Sequence, residues 1–330
     1  MKAAFIVGPR QFEIRDIDMP VIGDDEMLVR VDACGVCSSD MSGYLGTGSA
    51  TMQARNPYPR RAGHEPAGTV VEVGRNVVGY GVGDRITGYF ADGCYAEYVC
   101  CNPSDRAARG HGAVIARIPQ GVPAEHALGE PLMSLVSIAR TANPEFGDYV
   151  FQVGCGFMGL LLVQCLARSF AERLVAADVS PERLALASQF GADTVLNPLQ
   201  ADAEAQIAAL QALEIDTVVD ASGSQAGFAL TQRLVRRGGR INNFGWIHGD
   251  VTISGDAWHM LGYTVVNSSP AARLRDPFPT AIRLLAADRI DTRPLVTHVV
   301  SLDEMGALLA SVAAGQEKRY IKGVVTLQDA

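Results

Sequence analysis

From about residue 148 the sequence alternates between short apolar strands and helices, and this rhythm constrains the fold more than any other feature. "DYVFQVG" reads as a buried strand and "FMGLLLVQCLARSF" as a helix that is apolar nearly all round. "RLVAADVS" is a second strand, and "PERLALASQFGA" is a helix that opens with Pro181 in its first turn and closes on Gly191. "IDTVVDASG", "GGRINNFG" and "GYTVVNSS" supply further strands. Strands separated by helices cannot pair as hairpins. The alternation therefore predicts a parallel sheet with helices on both faces.

The turn after the first strand holds Gly154, Gly156 and Gly159 in G-x-G-x-x-G spacing, with Phe157 and Met158 between the last two. The first glycine permits a tight turn and the second lets a pyrophosphate approach the backbone. The third lets the helix pack closely on the strand, with phosphate at the helix N-terminus. Asp178 ends the next strand about 20 residues on, where an acid binds the adenosine ribose hydroxyls. A carboxylate there accepts from a free 2′-hydroxyl and repels a 2′-phosphate, so NAD is expected rather than NADP. The alternative role for Asp178 is N-cap of the helix at Pro181. Arg183 is placed either to stack on adenine or to sit on the solvent face of its helix. Ser222, Gly245 and Asn267, at the ends of later strands, complete the expected cofactor-binding set.

The first third of the chain differs in texture. Short β-type runs (28–32, 69–73, 95–100) are separated by Gly, Pro and Asp clusters, as in an irregular β domain. After residue 269 come a helix, a strand, a helix and a last strand, a tail able to return to that first domain. A chain of 330 residues suggests two domains. The expected organisation is a discontinuous catalytic domain of 1–137 and 271–330 around a coenzyme domain of 138–270.

Composition narrows the function. The net charge is −8, and the 28 basic residues are scattered, with only Lys2, Lys318 and Lys322 as lysines. Nucleic-acid binding needs a basic stripe, and the sequence has none. Seven cysteines without framework spacing argue for a reducing compartment. No apolar run approaches the ~18 residues of a membrane span. The first residues read as strand, Gly8-Pro9 turn and strand, so a cytoplasmic protein without signal peptide is expected.

Within "ACGVCSSD", Cys34 and Cys37 have C-x-x-C spacing, which fits a zinc half-site, a redox dithiol or a single important thiol. His64, Glu65 and Glu130 have no local spacing that joins them to either cysteine. Taken singly they also read as a capped loop histidine and solvent-facing carboxylates.

In order along the chain, however, "GVCSSD", "AGHEPAGTVVEVG", "GVGDRI", "GCYAEYV", "GEPL" and the glycine turn resemble the zinc-dependent medium-chain dehydrogenase/reductase family. "GEPL" and "RPLVTHVVSL" are similar to its sorbitol and polyol dehydrogenase branch. The resemblance implies a GroES-like β-rich catalytic domain beside a Rossmann domain. It implies one catalytic zinc held by Cys37, His64 and Glu130, with an open fourth position. Glu65 is then the neighbouring carboxylate, close enough to exchange onto the metal or hold its water, and Ser39 passes the alcohol proton onward. The segment "ITGYFADGCY" carries only Cys94 where relatives hold four cysteines around a structural zinc, so that lobe is absent. Cys94, Cys100 and Cys101 are read as packing residues. Ser42 stands where some relatives place a relaying histidine.

The implied reaction is reversible oxidation of a secondary alcohol to a ketone, by a homodimer or homotetramer. The region around Tyr44, Trp246, Trp258, His259, Asn267 and Ser268 suggests a polar alcohol or ketone substrate such as a polyol, sugar, cyclitol or aminocyclitol. For Trp258 and His259 a packed helix end is the competing role. Two other functions compete: a zinc-free NADPH-dependent quinone or enone reductase, and a non-catalytic NAD-binding redox sensor.

Overall fold

A computed structural model of the chain describes residues 1–47, 54, 57–90, 93–104, 115–268 and 277–327. The chain divides into two compact units, Met1–Met133 with Arg273–Ala330, and Ser134–Ala272. The expected boundary at 270/271 lies outside the described residues.

In the first unit, strands Lys2–Gly8 and Gln11–Asp16 form an antiparallel hairpin, and Arg60–Arg61 pairs on the far side of the first strand. A seven-stranded sheet is centred on Met27–Gly35, whose neighbours include Glu65–Val73 and Tyr98–Cys101. The C-terminal strand Lys322–Thr326 joins the same sheet, with Val324 opposite Gly35 and Val325 opposite Cys34. The tail therefore returns to the N-terminal sheet. Ile6, Met27, Val29, Val31, Cys34, Ile86, Tyr95 and Val325 form a continuous core beneath it.

The second unit holds six parallel strands in the order Thr194–Leu196, Arg173–Ala177, Tyr149–Val153, Ile215–Asp220, Val235–Asn243 and Thr264–Asn267. Numbered within this sheet, that is the 3-2-1-4-5-6 order of doubly wound dinucleotide folds. Strand order reverses between Tyr149–Val153 and Ile215–Asp220, the kind of switch point at whose C-terminal strand ends doubly wound folds bind ligands. The helix Phe157–Leu166 explains its own apolar circumference: Leu160, Leu161, Leu162 and Val163 are all fully buried. Each such side chain stabilises the fold by about 1.5–3 kcal/mol. Beyond Leu166 the Arg168 guanidinium donates to the Gln164 carbonyl, which satisfies one of the orphaned acceptors at the helix end.

Candidate active site

Strand register assembles the donor cluster. Gly35 pairs with Glu65 where Met27–Gly35 runs antiparallel to Glu65–Val73. Cys37 lies two residues past one strand end and His64 one residue before the other strand begins. Cys37, His64 and Glu65 thus meet, each offering a ligand atom within 4.8 Å of the others. Cys37 is also the N-cap of the helix Ser38–Leu45, which the left-handed Gly46 (φ 71°) terminates. Ser39 sits half-buried in the first turn of that helix, beside Cys37.

Asp40 braces this arrangement and is 3% exposed. Its Oδ2 accepts the Tyr95 hydroxyl at 2.7 Å and the Cys37 backbone N–H at 3.2 Å. Its Oδ1 accepts the Gly63 N–H at 3.4 Å and lies 3.8 Å from His64 Nδ1. A carboxylate behind a ligating imidazole fixes the ring's orientation and raises its basicity. Lys322 approaches from another side, with Nζ 2.5 Å from Glu65 Oε2 and donating to the Val36 carbonyl at 3.0 Å.

The acidic groups of the cluster favour positive charge on their neighbours. Burial opposes charge on His64, but Asp40, Cys37 and Glu130 outweigh it and push the imidazole pKa up to about 11. Burial likewise opposes the Lys322 charge, yet Glu65 and Cys37 hold its pKa above the ordinary lysine range. A thiol, an imidazole and a carboxylate within 4.8 Å of one another fit a zinc ion with ligand bonds of ~2.0–2.3 Å.

Glu130 is the second residue of the helix Gly129–Ala142, half-buried, and its charge acts on His64. Glu65 reaches the cluster because its backbone pairs directly with Gly35. Tyr44, expected against substrate, is 5% exposed and packs in the hydrophobic core of the first unit. The helix Ser38–Leu45 turns that side chain inward, so Tyr44 anchors the helix.

Cys34 lies on its strand, fully buried, and burial holds its thiol well above the usual range. Cys34 and Cys37 are both free thiols, and Cys94 and Cys101 are buried.

In the second unit the glycine turn joins the strand Tyr149–Val153 to the helix Phe157–Leu166. Gly154 has φ +98°, and a Cβ there would lie 2.5 Å from the Ser222 nitrogen. At Gly159 it would lie 2.1 Å from the Gly154 carbonyl. At Gly156 a Cβ meets nothing within 4 Å, so internal packing does not require that glycine. Gly156 is the N-cap of the helix Phe157–Leu166 and offers no side-chain cap hydrogen bond. Phe157 is buried in the first turn and Met158 half-buried beside it.

Asp178 Oδ2 accepts the Cys155 N–H at 2.6 Å and Oδ1 the Ser180 N–H at 2.9 Å. Ser180, not Asp178, caps the helix Pro181–Gln189, and Arg183 stands half-buried in its first turn. Ser222 donates to Asp220 Oδ1 through both its N–H and its hydroxyl. Gly245 lies so close to the same turn that a Cβ would sit 2.3 Å from the Gly223 nitrogen. Asn267 ends the last strand opposite Asn243, and the buried Ser268 hydroxyl has no hydrogen-bond partner among the described residues. Trp246 is 54% exposed, its ring centroid 5.3 Å from that of His248. Trp258 Nε1 donates to the Tyr263 carbonyl at 2.8 Å, while His259 is exposed.

Sequence reasoning passed over three residues. Gln152 is fully buried and donates to the Gly154 and Gly159 carbonyls at 3.0 and 2.9 Å, tying the glycine turn together. Asp40 and Lys322 were the other two. A polar residue inside an apolar strand was the available signal for Gln152, and one opening such a strand for Lys322.

A sulfur–imidazole–carboxylate cluster in one unit and a dinucleotide-type glycine turn in the other define an oxidoreductase acting on alcohols. Two family models match the chain: the alcohol dehydrogenase GroES-like domain over residues 23–129 and the zinc-binding dehydrogenase domain over 158–287. The chain belongs to the zinc-type medium-chain dehydrogenase/reductase superfamily. It is 27% identical to the erythritol/L-threitol dehydrogenase of Mycolicibacterium smegmatis, covering 96% of this chain and 95% of that one. It is 29% identical to the L-threonine 3-dehydrogenase of Pyrococcus horikoshii over 87% of each. An Escherichia coli oxidoreductase of unknown specificity superposes with a TM-score of 0.86 at 25% identity, over 99% of both chains. No helix among the described residues is long and apolar enough to cross a membrane.

Proposed function

We propose that the protein interconverts a secondary alcohol and its ketone, using NAD and one catalytic zinc. The substrate is a polar, polyhydroxylated small molecule: a polyol, sugar, cyclitol or aminocyclitol. The Cys37–His64–Glu65 cluster, braced by Asp40, carries this reading, because a zinc-free reductase or a passive nucleotide sensor has no use for it. The erythritol/L-threitol dehydrogenase relative supports the substrate class.

Cys37 and His64 would hold the metal, with Glu65 or Glu130 as the carboxylate donor. When bound, zinc supplies a Lewis acid at neutral pH, and NAD supplies the hydride acceptor. The remaining work falls to the chain's own side chains. Ser39 takes the alcohol proton and passes it outward. Asp40 keeps the His64 ring in one orientation. Gly154, Gly156 and Gly159 admit the pyrophosphate, Asp178 accepts from the ribose hydroxyls, and Arg183 covers the adenine. Residues 1–137 and 271–330 form the catalytic domain and 138–270 the coenzyme domain of a cytoplasmic homodimer or homotetramer.

The test combines metal analysis with a panel of polyols, cyclitols and amino alcohols followed by NADH absorbance. The expected result is about one zinc per chain and NAD-dependent turnover of at least one polyhydroxylated alcohol. Stoichiometric NAD binding with no turnover on the whole panel would sink the proposal.

A further inference from the structure

Two arginines of the first unit rest against glycines and bring their charge to a small cavity beside His64. The cavity, of about 30 Å³, has Arg60, Arg61, Asp40, His64 and Gly93 in its wall. The two arginines are neighbours on the strand Arg60–Arg61 and approach by different routes. Arg60 lies against the helix Ser38–Leu45, where a Cβ on Gly43 would sit 1.7 Å from Arg60 Nη2. A glycine inside a helix costs stability, and here it is what admits the guanidinium. Arg61 lies against Gly93, whose Cβ would sit 3.0 Å from Arg61 Nε. Arg60 Nε is buried and has no hydrogen-bond partner among the described residues. The carboxylate in the wall does not answer it. Asp40 already accepts the Tyr95 hydroxyl and the Cys37 and Gly63 amides, and it faces His64. A buried guanidinium N–H without an acceptor costs free energy that a bound oxyanion recovers. The planar fork of an arginine matches the two oxygens of a carboxylate or phosphate, and the cavity has room for about two water-sized polar atoms.

We propose that Arg60 and Arg61 form an oxyanion subsite, and that the substrate is a polyhydroxylated alcohol bearing a carboxylate or phosphate group. The inference rests on the dehydrogenase reading above, since it names which alcohols that site takes. The cavity is too small for a whole polyol, so only the anionic end enters it. His64 belongs both to the cavity wall and to the cluster with Cys37 and Glu65, which places the bound anion beside the reacting end of the molecule. In a chain of net charge −8 the overall field repels an anionic substrate, so its recognition has to be local. An arginine pair whose role was only to brace the helix Ser38–Leu45 would leave the choice between charged and uncharged alcohols unaffected.

The experiment supplies the full chain with zinc and NAD and follows NADH on matched sets of polyols, their phosphate monoesters and their aldonic acids. For at least one skeleton the parent is expected to show kcat/KM at least about tenfold higher for an anionic member than for the uncharged alcohol. The phosphate and carboxylate arms show which anion the subsite takes. In Arg60→Gln and in Arg61→Gln that ratio is expected to fall at least about tenfold, mainly through KM. A parent that turns over uncharged polyols as well as their anionic counterparts overturns the proposal and leaves the dehydrogenase reading intact. An unchanged ratio in Arg61→Gln does the same, and this exposed side chain serves as the test if Arg60→Gln does not fold. If no alcohol is turned over, the dehydrogenase reading falls, and calorimetry with inorganic phosphate at saturating NAD decides on the subsite. Phosphate binding at least about tenfold weaker in Arg61→Gln than in the parent upholds the subsite, and equal or absent binding in both overturns it.

Discussion

Asp40 accepts the Tyr95 hydroxyl at 2.7 Å, and that bond connects the metal-site cluster to the hydrophobic core, where Tyr95 is fully buried. Asp40 in turn holds the Cys37 amide and faces His64 Nδ1, so one carboxylate orients two donors. Asp40→Asn is expected to weaken metal binding by ~10–100-fold, the usual effect of losing a carboxylate behind a ligand. Tyr95→Phe leaves the carboxylate charged but short of a donor, and is expected to destabilise the fold by about 1–3 kcal/mol. Chelator competition and urea unfolding measure the two effects. A Tyr95→Phe variant as stable as the parent would mean that the bond is not a strut.

Cys37→Ser is expected to abolish turnover and metal retention while leaving the second unit intact, because the glycine turn and Asp178 belong to that unit alone. NAD affinity measured by calorimetry should stay within about threefold of the parent, as expected for independent sites. Parent-like turnover in this variant would remove Cys37 from the donor set.

The extent to which these features could be read from the sequence follows from how local each one is. The parallel sheet was legible because apolar strands and helices alternate, and the glycine turn because its three positions serve one compact structure. The strand Thr194–Leu196 escaped notice, since three residues carry too little periodicity to register. The cluster was legible only through resemblance. No sequence spacing connects Cys37 with His64 and Glu65, whereas the Gly35–Glu65 register does so at once. Lys322 and Asp40 were missed for the same reason: their partners are distant in sequence. The burial of Tyr44 was not legible either, because a helix's inward face depends on what packs against it.

Asp178→Gly is expected to shift preference toward NADP. The native carboxylate accepts two backbone N–H groups, from Cys155 and Ser180, and on the proposed cofactor reading it would face the adenosine ribose and oppose a 2′-phosphate there. Removing it lifts that repulsion and loses the ribose acceptor together. The ratio of kcat/KM for NAD to that for NADP should fall by at least about tenfold, which is ~1.4 kcal/mol. An unchanged ratio would detach Asp178 from cofactor choice.

Two glycines separate packing from ligand demands. Gly35→Ala puts a methyl 2.2 Å from Glu65 Oε2, so the Glu65–Lys322 pair must move, and the variant is expected to lose about 1–3 kcal/mol of stability. Gly156→Ala meets nothing within 4 Å and has an ordinary φ of −69°. It is expected to keep the parent's Tm and to bind NAD at least about tenfold more weakly, because the methyl projects where the pyrophosphate would lie. Equal NAD affinity in Gly156→Ala would show that the cofactor does not cross that turn.

Alkaline pH should destabilise the second unit through its thiols. Burial, and for Cys155 the nearby Asp178, push the Cys155 and Cys165 pKa values up to about 12 and about 11 from an ordinary 9.0. The fold therefore favours the neutral thiols. Their contribution is complete below about pH 9 and is lost as pH rises toward the folded values, because the unfolded chain ionises first. Tm should accordingly fall between pH 9 and about 11, and Cys155→Ala should fall less steeply than the parent. At pH 8 both thiols are expected to resist iodoacetamide in the folded protein and to react in urea. Rapid labelling of Cys155 in the native state would show that the glycine turn opens far more readily than its hydrogen bonds to Gln152 and Asp178 imply.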